Sequence, residues 1–319
     1  MSKKEPKVAI VHDWLVGYAG GERVVDAVKH IFPNAVIYTL VYDPDHMPEW
    51  FRSYDIRTSW FQKVPFSSRL YKVMLPLMPR AFEAFDLTGY DLVLSSSSSF
   101  SKGIITRPDA VHICYCHTPI RYVWDFYYTY RANANPLVRL IMPGLMHRLR
   151  SWDKCAADRV DYFIANSHYI ARRIKKYYRR DSDVIYPCCH INESPFVGKE
   201  DFYLTVARLT WYKRVDLAVQ ACTKLGKRLV VIGSGGELGK LRAMAGPTIE
   251  FRAAICPTRK SAATICGPRP SFSRVKRTSA SHRWRPRAPV PKLSQPPAEP
   301  HSGCSAGGLP FYAALLFGG

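Results

Sequence analysis

Short apolar runs of strand length recur through the first half of this sequence, and amphipathic helical patterns lie between several of them. Helical spacing of apolar residues is clear at Glu22–Phe32 and His168–Tyr178. Strands that alternate with helices are typical of a parallel sheet with helices on its faces, because parallel neighbours need a crossover connection. The sequence therefore predicts an α/β fold with strands at Val8–Val11, Val36–Leu40, Leu92–Ser95, His112–Cys116 and Tyr162–Ala165.

A glycine pair follows the first strand. The loop 13–19 ends in Gly20-Gly21, and apolar residues then recur at helical spacing to Phe32. Free amides at a helix start can bind phosphate, and glycine allows close approach. The stretch lacks the G-x-G-x-x-G and G-K-[ST] patterns, so it matches neither a dinucleotide fingerprint nor a P-loop. A plain tight turn remains an equal alternative to an anion site.

A second α/β unit is predicted to begin near residue 200, after an irregular segment that follows Tyr186-Pro187. The composition changes at about Phe251: residues 251–319 hold ten of the 24 prolines and show almost no periodic apolar pattern. We therefore expect a first domain over 1–190, the start of a second over 200–250, and a disordered tail over 251–319. The elements of the second unit are Phe202–Ala207, Val215–Leu225, Arg228–Ile232, the loop Gly233–Gly236 and Glu237–Ala245.

The net charge of +21 is unevenly distributed along the chain. Residues 251–319 contain eleven Lys and Arg and one acid, Glu299, which leaves 35 basic and 24 acidic residues in 1–250. The milder excess in 1–250 suits an anionic substrate or an anionic membrane surface. A nucleic-acid partner is not expected, because the tail has neither aromatic interleaving nor a recognisable motif.

Features of targeting and metal binding are not evident. The charged start MSKKEPK runs directly into a strand, and no apolar run has the length of a membrane span, so a cytoplasmic protein is expected. The nine cysteines lack metal-binding spacing and are interpreted as reduced. Asp43-Pro-Asp45 resembles a metal-binding D-x-D, but its proline-broken loop favours a turn.

Five motifs occur in one order: VHDWLVGYAGGERV, TLVYDPD, ITRPDAVHICYCHTPIRYVWD, DYFIANSHYIARRI and ARLTWYKRVDLAVQA. Together, over residues 7–250, they resemble bacterial family 4 glycosyltransferases, in the branch that includes O-antigen mannosyltransferases. The resemblance implies a GT-B fold of two Rossmann-like domains. It implies transfer of a sugar from a nucleotide diphosphate donor with retention of configuration, without a metal and without a further cofactor. Lipid-linked or oligosaccharide acceptors and peripheral contact with the inner face of the cell membrane are also implied.

The resemblance also implies roles for five residues. Gly20 and Gly21 match a glycine pair near the donor diphosphate, and His117 matches the histidine that contacts the sugar near the reacting centre. Arg208 and Lys213 match the pair that neutralises the donor phosphates, which suits a guanidinium fork and a compact ammonium. From the residues alone, packing under a loop is the favoured interpretation of His117, and Arg208 with Lys213 could equally form a solvated basic turn.

Two further segments have alternative interpretations. Asn166-Ser167 closes a strand and is predicted to cap the next helix. The segment 168–180 carries six basic residues and three tyrosines, so it could contact anionic lipid or form a solvated helix face. The basic residues are Arg172, Arg173, Lys175, Lys176, Arg179 and Arg180, and the tyrosines are Tyr169, Tyr177 and Tyr178.

The segment PGEEDFG-x-x-P-x-E-A, whose glutamates bind the donor in the family, does not occur in this chain. Back-translation of Pro270–Pro291 in a frame moved by two bases permits FLFPGEEDFGITPVEAQGAGA, and the single codon of Trp284 restricts the shifted residue to Val, Leu or Met. We infer a frameshift just after Phe251. The predicted function is a retaining glycosyltransferase, with mannose as the sugar suggested by the resemblance and with impaired activity in this copy. The alternative is a non-catalytic product that retains only acceptor or membrane binding.

Overall fold

The computed structural model describes residues 5–70, 74–187 and 201–252, and the predicted tail after Arg252 lies outside the described residues. The chain divides into two compact units, Met1–Ile191 and Asn192–Gly319.

The first unit is built on a seven-stranded parallel sheet. The strands are β1 (Val8–His12), β2 (Val36–Thr39), β3 (Ile56–Thr58), β4 (Leu92–Ser97), β5 (Val111–Cys116), β6 (Tyr162–Ala165) and β7 (Asp183–Val184). Their order in the sheet is β3-β2-β1-β4-β5-β6-β7, and every neighbouring pair is parallel. β1 is an inner strand of the sheet, between β2 and β4, and all five of its residues are buried, as expected for a strand covered on both faces.

Helices connect these strands. They are α1 (Gly20–Ile31), α2 (Ser67–Leu70), α3 (Met78–Glu83), α4 (Tyr127–Ala132), α5 (Pro136–Asp158) and α6 (His168–Tyr178). The largest hydrophobic cluster joins Ala9 and Val11 of β1 to Phe82 of α3 and Leu149 of α5. A second cluster joins β5 and β6 to α6 through residues that include Cys114, Phe163 and Ile174. The five strands predicted from apolar runs are therefore present, whereas β3 and β7 were not predicted because each is too short to carry a pattern.

The second unit has a three-stranded parallel sheet in the described residues. It contains β8 (Tyr203–Val206), α7 (Val215–Lys224), β9 (Leu229–Ile232), α8 (Leu238–Ala243) and β10 (Ile249–Arg252), with the strands in the order β10-β9-β8. Residue 250 was predicted to end this unit, but β10 continues to Arg252, and Phe251 packs against the core around Val231. The regular structure therefore extends two residues beyond the boundary suggested by composition.

A buried ion pair between Lys102 and Asp153 of α5 stabilises the first unit. Lys102 and Asp153 are almost fully buried, and the Lys102 ammonium donates to the Asp153 carboxylate and to Ser99 O at 3.0 Å. The Trp124 indole N–H (2.7 Å) and the Tyr178 hydroxyl (2.9 Å) donate to the other carboxylate oxygen. Burial lowers the pKa of Lys102, but the adjacent Asp153 carboxylate outweighs that effect and raises the pKa, so the ammonium stays charged.

We predict that Asp153→Asn destabilises the protein severely. Removing one partner leaves the other charge buried and uncompensated, which costs about 3–5 kcal/mol of the free energy of unfolding. Urea unfolding followed by tryptophan fluorescence measures the loss. The control is Asp158→Asn, which breaks an exposed pair with Lys154 on the same helix and should change stability by less than about 1 kcal/mol. Similar losses in the two variants would contradict the prediction.

Candidate active site

The strand order of the first unit reverses direction between β1 and β4, because β2 follows on one side of β1 and β4 lies on the other. In open parallel sheets a crevice forms at such a switch point, outside the carboxyl ends of the strands, and ligands bind there. His12 ends β1 and is followed by Asp13, the serine run 95–99 covers the end of β4, and His117 follows β5. The polar residues of this unit thus meet where the topology predicts a ligand.

Asp13 holds the floor of this crevice together. Its Oδ2 accepts hydrogen bonds from the backbone N–H of Ser98 (2.7 Å) and from the Ser98 hydroxyl (2.8 Å). Its Oδ1 accepts from the backbone N–H groups of Phe100 and Ser101, both at 2.8 Å. One buried carboxylate therefore accepts four hydrogen bonds from the turn after β4 and fixes this turn to the end of β1.

His12 and Glu22 form a buried pair at the start of α1. Nε2 of His12 lies 3.6 Å from Glu22 Oε1, and Glu22 Oε2 accepts from the backbone N–H of Ala19 at 2.9 Å. Burial lowers the pKa of His12, but the Glu22 carboxylate, with Asp13, outweighs that effect and raises it. Burial raises the pKa of Glu22, but the His12 ring outweighs it and lowers the pKa. The carboxylate that caps α1 thus lies against the His12 ring, and each of the two groups favours the charged form of the other.

His117 lies beside His12 through a shared serine. Its Nε2 is 2.9 Å from Ser96 Oγ, its backbone N–H donates to Ser97 O at 2.8 Å, and its carbonyl accepts from the Asn166 side chain at 3.1 Å. Burial, reinforced by the charge of His12, lowers the pKa of His117 to about 4, so its ring is neutral at pH 7. His117 is half-buried, and it is therefore a positioned, uncharged imidazole beside the crevice.

The two glycines at the start of α1 have different surroundings. A Cβ at Gly21 would lie 3.2 Å from His12 Cε1 and 3.6 Å from His117 Nε2, whereas a Cβ at Gly20 would meet nothing within 4 Å. Neither glycine has a positive φ. An added Cβ at Gly21 would therefore make a tight contact with His12 and an ordinary one with His117. Gly20 leaves open space beside the first-turn amides, which have no acceptor within the helix.

Arg208 and Lys213 belong to the second unit, in the segment between β8 and α7. Both side chains are exposed, and neither makes a salt bridge within the described residues. Arg214, next to Lys213, is instead bound by Asp216 through contacts of 3.1 Å from Nε and from Nη2. Arg208 and Lys213, which were predicted to bind phosphate, are thus the basic residues of this segment whose charges are not paired with a carboxylate of the described residues.

Glycines hold this basic segment against the next loop. Gly233 and Gly235 follow β9. A Cβ on Gly233 would lie 1.9 Å from the carbonyl oxygen of Ala207, and a Cβ on Gly235 would lie 2.1 Å from that of Leu209. Backbone bonds join Leu209 N to Ser234 O (2.9 Å) and Glu237 N to Leu209 O (3.2 Å). The loops after β8 and β9 are consequently packed as one layer at the carboxyl edge of the smaller sheet.

The structure brings Gly20, Gly21 and His117 together in the first unit, and it places Arg208 and Lys213 together in the second. The sequence analysis did not single out His12, Asp13, Glu22 or Ser96. A signal was present, because His12 and Asp13 directly follow a buried strand at its carboxyl end, as His117 does. Their importance depends on pairing across the sheet, which no local pattern reports.

Two predicted structural roles are confirmed by their hydrogen bonds. The Asp43 side chain accepts from the backbone N–H of Asp45 at 3.2 Å and pairs with His46 at 3.0 Å, which is a turn. The Ser167 hydroxyl accepts from Ile170 N at 3.4 Å and caps α6. Across residues 5–70, 74–187 and 201–252 there is no cluster of three or more His, Cys, Asp or Glu side chains suited to a metal ion.

The family model described as Glycosyltransferase Family 4 matches residues 18–193. The chain belongs to glycosyltransferase family 4. The match covers α1 with its glycines, the serines after β4 and His117, whereas His12 and Asp13 precede it and Arg208 and Lys213 follow it. The protein is accordingly a glycosyltransferase by family.

Solved structures share the fold at low sequence identity. Sucrose-phosphate synthase from Thermosynechococcus elongatus is 12% identical, with 78% of this chain and 71% of that chain covered and a TM-score of 0.52. The lipopolysaccharide outer core galactosyltransferase WaaB, in its apo form, is 14% identical, with coverage of 83% and 72% and a TM-score of 0.49. Anabaena HepE in complex with UDP and glucose is 12% identical, with coverage of 78% and 70% and a TM-score of 0.47.

The similarity to sucrose-phosphate synthase and the parallel sheets confirm the predicted GT-B-like α/β fold class. No curated protein sequence matches this chain. Of the helices in the described ranges, none combines the length and apolar composition needed to cross a bilayer.

We predict opposite effects for alanine at the two glycines of α1. Gly20→Ala enters open space and gains helix propensity, so it should stabilise the protein by up to about 1 kcal/mol. Gly21→Ala pushes its methyl group against the His12 ring, and overpacking costs about 1–3 kcal/mol. Urea unfolding measures both. Equal shifts of the midpoint in the same direction would show that the imidazoles do not restrict position 21.

Proposed function

We propose that this chain is a retaining glycosyltransferase that uses a nucleotide diphosphate sugar, with mannose as the sugar and a polysaccharide or lipid-linked acceptor. The observation that carries the proposal is the meeting of Gly21 and His117, with His12, at the switch point of a family 4 sheet. An anionic diphosphate suits the free amides of α1, and a neutral imidazole suits a sugar hydroxyl.

Arg208 and Lys213 are proposed to bind the donor phosphates. They are exposed cations without salt-bridge partners in the described residues, and they follow the carboxyl end of β8. A guanidinium, which donates two parallel hydrogen bonds, and a compact ammonium together stabilise the negative charge that develops on a diphosphate leaving group. No cofactor and no metal is assigned to the reaction, because the two cations supply this stabilisation.

We further propose that the chain as given is impaired. It lacks the segment with the two glutamates that the family uses for the donor, and back-translation in a shifted frame after Phe251 permits such a segment. Positioning of the donor supplies much of the rate, so a protein that binds only the diphosphate transfers sugar poorly. The competing proposal is a non-catalytic product that keeps acceptor or membrane binding.

Sugar transfer by a frame-corrected protein tests these proposals. We expect the corrected protein to transfer a sugar from a nucleotide diphosphate donor with retention, read from the anomeric NMR signals of the product, and the 319-residue chain to be nearly inert. Transfer with inversion would refute the mechanism. Robust turnover by the uncorrected chain would refute the impairment, and the absence of turnover in both would favour the non-catalytic alternative.

In the corrected protein, Arg208→Ala and Lys213→Ala should each cost about 2–4 kcal/mol in kcat/KM, the scale for losing one electrostatic stabiliser. His117→Ala should lower kcat more than it weakens donor binding. Lys224→Ala is the matched control, because this exposed lysine lies on α7 away from the β8–α7 segment. A loss in the control equal to that in Lys213→Ala would mean that only general surface charge matters.

We also propose contact with an anionic membrane, through a surface formed by α4 and the start of α5. Tyr128, Leu137, Leu140 and Ile141 are 79%, 70%, 78% and 56% exposed there. An apolar patch flanked by basic residues is typical of a membrane interface. The α6 helix suits this role less well, because Arg173 is buried in a pair with Asp125 and Tyr178 lies in the core.

Charge identifies the occupant of this surface. The segment from Phe126 to Trp152 has no acidic residue and contains four arginines, of which Arg131, Arg139 and Arg148 are exposed. A second copy of the chain in a symmetric pair would place the same arginines against each other, and the segment 253–319 is itself strongly basic. An anionic lipid surface offers both the complementary charge and the apolar interior.

We predict that the double variant Leu140→Ser and Ile141→Ser weakens binding to phosphatidylglycerol vesicles at least tenfold, since burial of each side chain contributes about 1.5–3 kcal/mol. Vesicle co-sedimentation measures it, and phosphatidylcholine vesicles should bind the wild-type chain less well. Leu217→Ser, a change at an exposed leucine of α7, is the control. Undiminished binding of the double variant would exclude this surface.

A further inference from the structure

The pairing of His12 with its neighbours defines its protonation. Nδ1 lies 3.0 Å from the carbonyl oxygen of Ser96, and Nε2 lies 3.6 Å from a carboxylate oxygen of Glu22. A neutral imidazole has one N–H, so one of its nitrogens would present a lone pair to an acceptor oxygen. The doubly protonated ring presents a proton to both acceptors, and it is the form that fits this buried position.

Ser96 links this charged ring to His117. Its hydroxyl oxygen is 3.1 Å from Nδ1 of His12 and 2.9 Å from Nε2 of His117. A hydroxyl has one proton to donate. Ser96 is buried, and within the described residues its hydroxyl meets no hydrogen-bond partner other than these two rings. Because the protonated Nδ1 of His12 cannot accept a hydrogen bond, the acceptor left for the hydroxyl proton is the lone pair of His117 Nε2.

This arrangement leaves one tautomer for His117. With Nε2 as an acceptor, the neutral ring carries its proton on Nδ1. Within the parts of the chain that the structure describes, the side-chain hydrogen bonds of His117 involve Nε2 alone, so Nδ1 has no protein acceptor. The ring is partly exposed at the crevice, where a ligand can reach it.

We propose that His12 is a positioning residue that, through the Ser96 hydroxyl, holds His117 in the Nδ1–H tautomer and leaves that N–H to donate to an oxygen of the donor sugar. The sugar as ligand rests on the proposed function, whereas the tautomer rests on the geometry of the three residues alone. In the opposite tautomer Nε2 would donate to the Ser96 oxygen, so the buried hydroxyl proton would have no acceptor within the described residues, and Nδ1 would present a lone pair to the sugar. His12 thus decides whether His117 meets the substrate as a donor or as an acceptor.

Nitrogen NMR of the 319-residue chain labelled with ¹⁵N-histidine reads the tautomer directly. We expect a protonated Nδ1 and an unprotonated Nε2 for His117 at pH 7, assigned by loss of the signals in His117→Gln. Ser96→Ala and His12→Gln should each shift these signals toward a mixture of tautomers. A wild-type His117 protonated on Nε2 would overturn the proposal, as would an unchanged tautomer in both variants.

Ser95→Ala is the matched control for Ser96→Ala. The neighbouring serine makes the same kind of contact, 2.8 Å from its hydroxyl to Nε2 of His112, but within the core. The change should move the signals of His112 and leave those of His117 in place. If His12→Gln does not fold, the wild-type tautomer and the serine pair still decide the question, because neither serine change alters the charge of the site.

Sugar transfer by the frame-corrected protein gives a second measurement. Ser96→Ala and His12→Gln should lower kcat roughly tenfold to hundredfold, the range for partners that orient a functional histidine, with a smaller change in the KM of the donor. Unchanged kcat in both variants would overturn the role in donor binding. If the corrected protein transfers no sugar, the proposed function fails, while the NMR result decides the positioning of His117 independently.

Discussion

The Asp13 carboxylate is the constraint on which the rest of the crevice depends. It accepts hydrogen bonds from three backbone N–H groups and one hydroxyl of residues 98–101, and it directly follows the inner strand β1. Charged acceptors make the stronger hydrogen bonds, and a buried carboxylate without donors would be costly. The turn after β4 is therefore held in one conformation, with Ser96 presented to His12 at its start and Lys102 directed into the core at its end.

The same turn connects the crevice to the buried interior. Lys102 follows the Asp13 contacts by one residue and pairs with Asp153 of α5, whose second oxygen accepts from Trp124 and Tyr178. A displacement at either end would leave a charge buried without its partner, which is among the most expensive changes a core can undergo. The rigid positioning of the two imidazoles is thus a consequence of paired charges several residues away.

Close backbone approach serves different purposes in the two units. Gly21 allows two histidine rings to lie against α1, whereas Gly233 and Gly235 allow the loop after β9 to pack against the carbonyls of Ala207 and Leu209. In the first unit the space is filled by groups proposed to act on a sugar. In the second unit it fixes the backbone from which Arg208 and Lys213 project toward solvent.

The amino-acid sequence by itself determined the α/β class, the five longer strands of the first unit, the start of a second unit and the glycosyltransferase family. Apolar runs and helical periodicity report burial along a single element, and ordered motifs report ancestry. Only the tertiary structure decided which polar residues meet. His12, Ser96 and His117 are separated by 84 and 21 positions along the chain, and no local pattern encodes their contact. Parallel pairing of β1, β4 and β5 brings their carboxyl ends to one edge, and the hydrogen bonds of Asp13 then fix the side chains there.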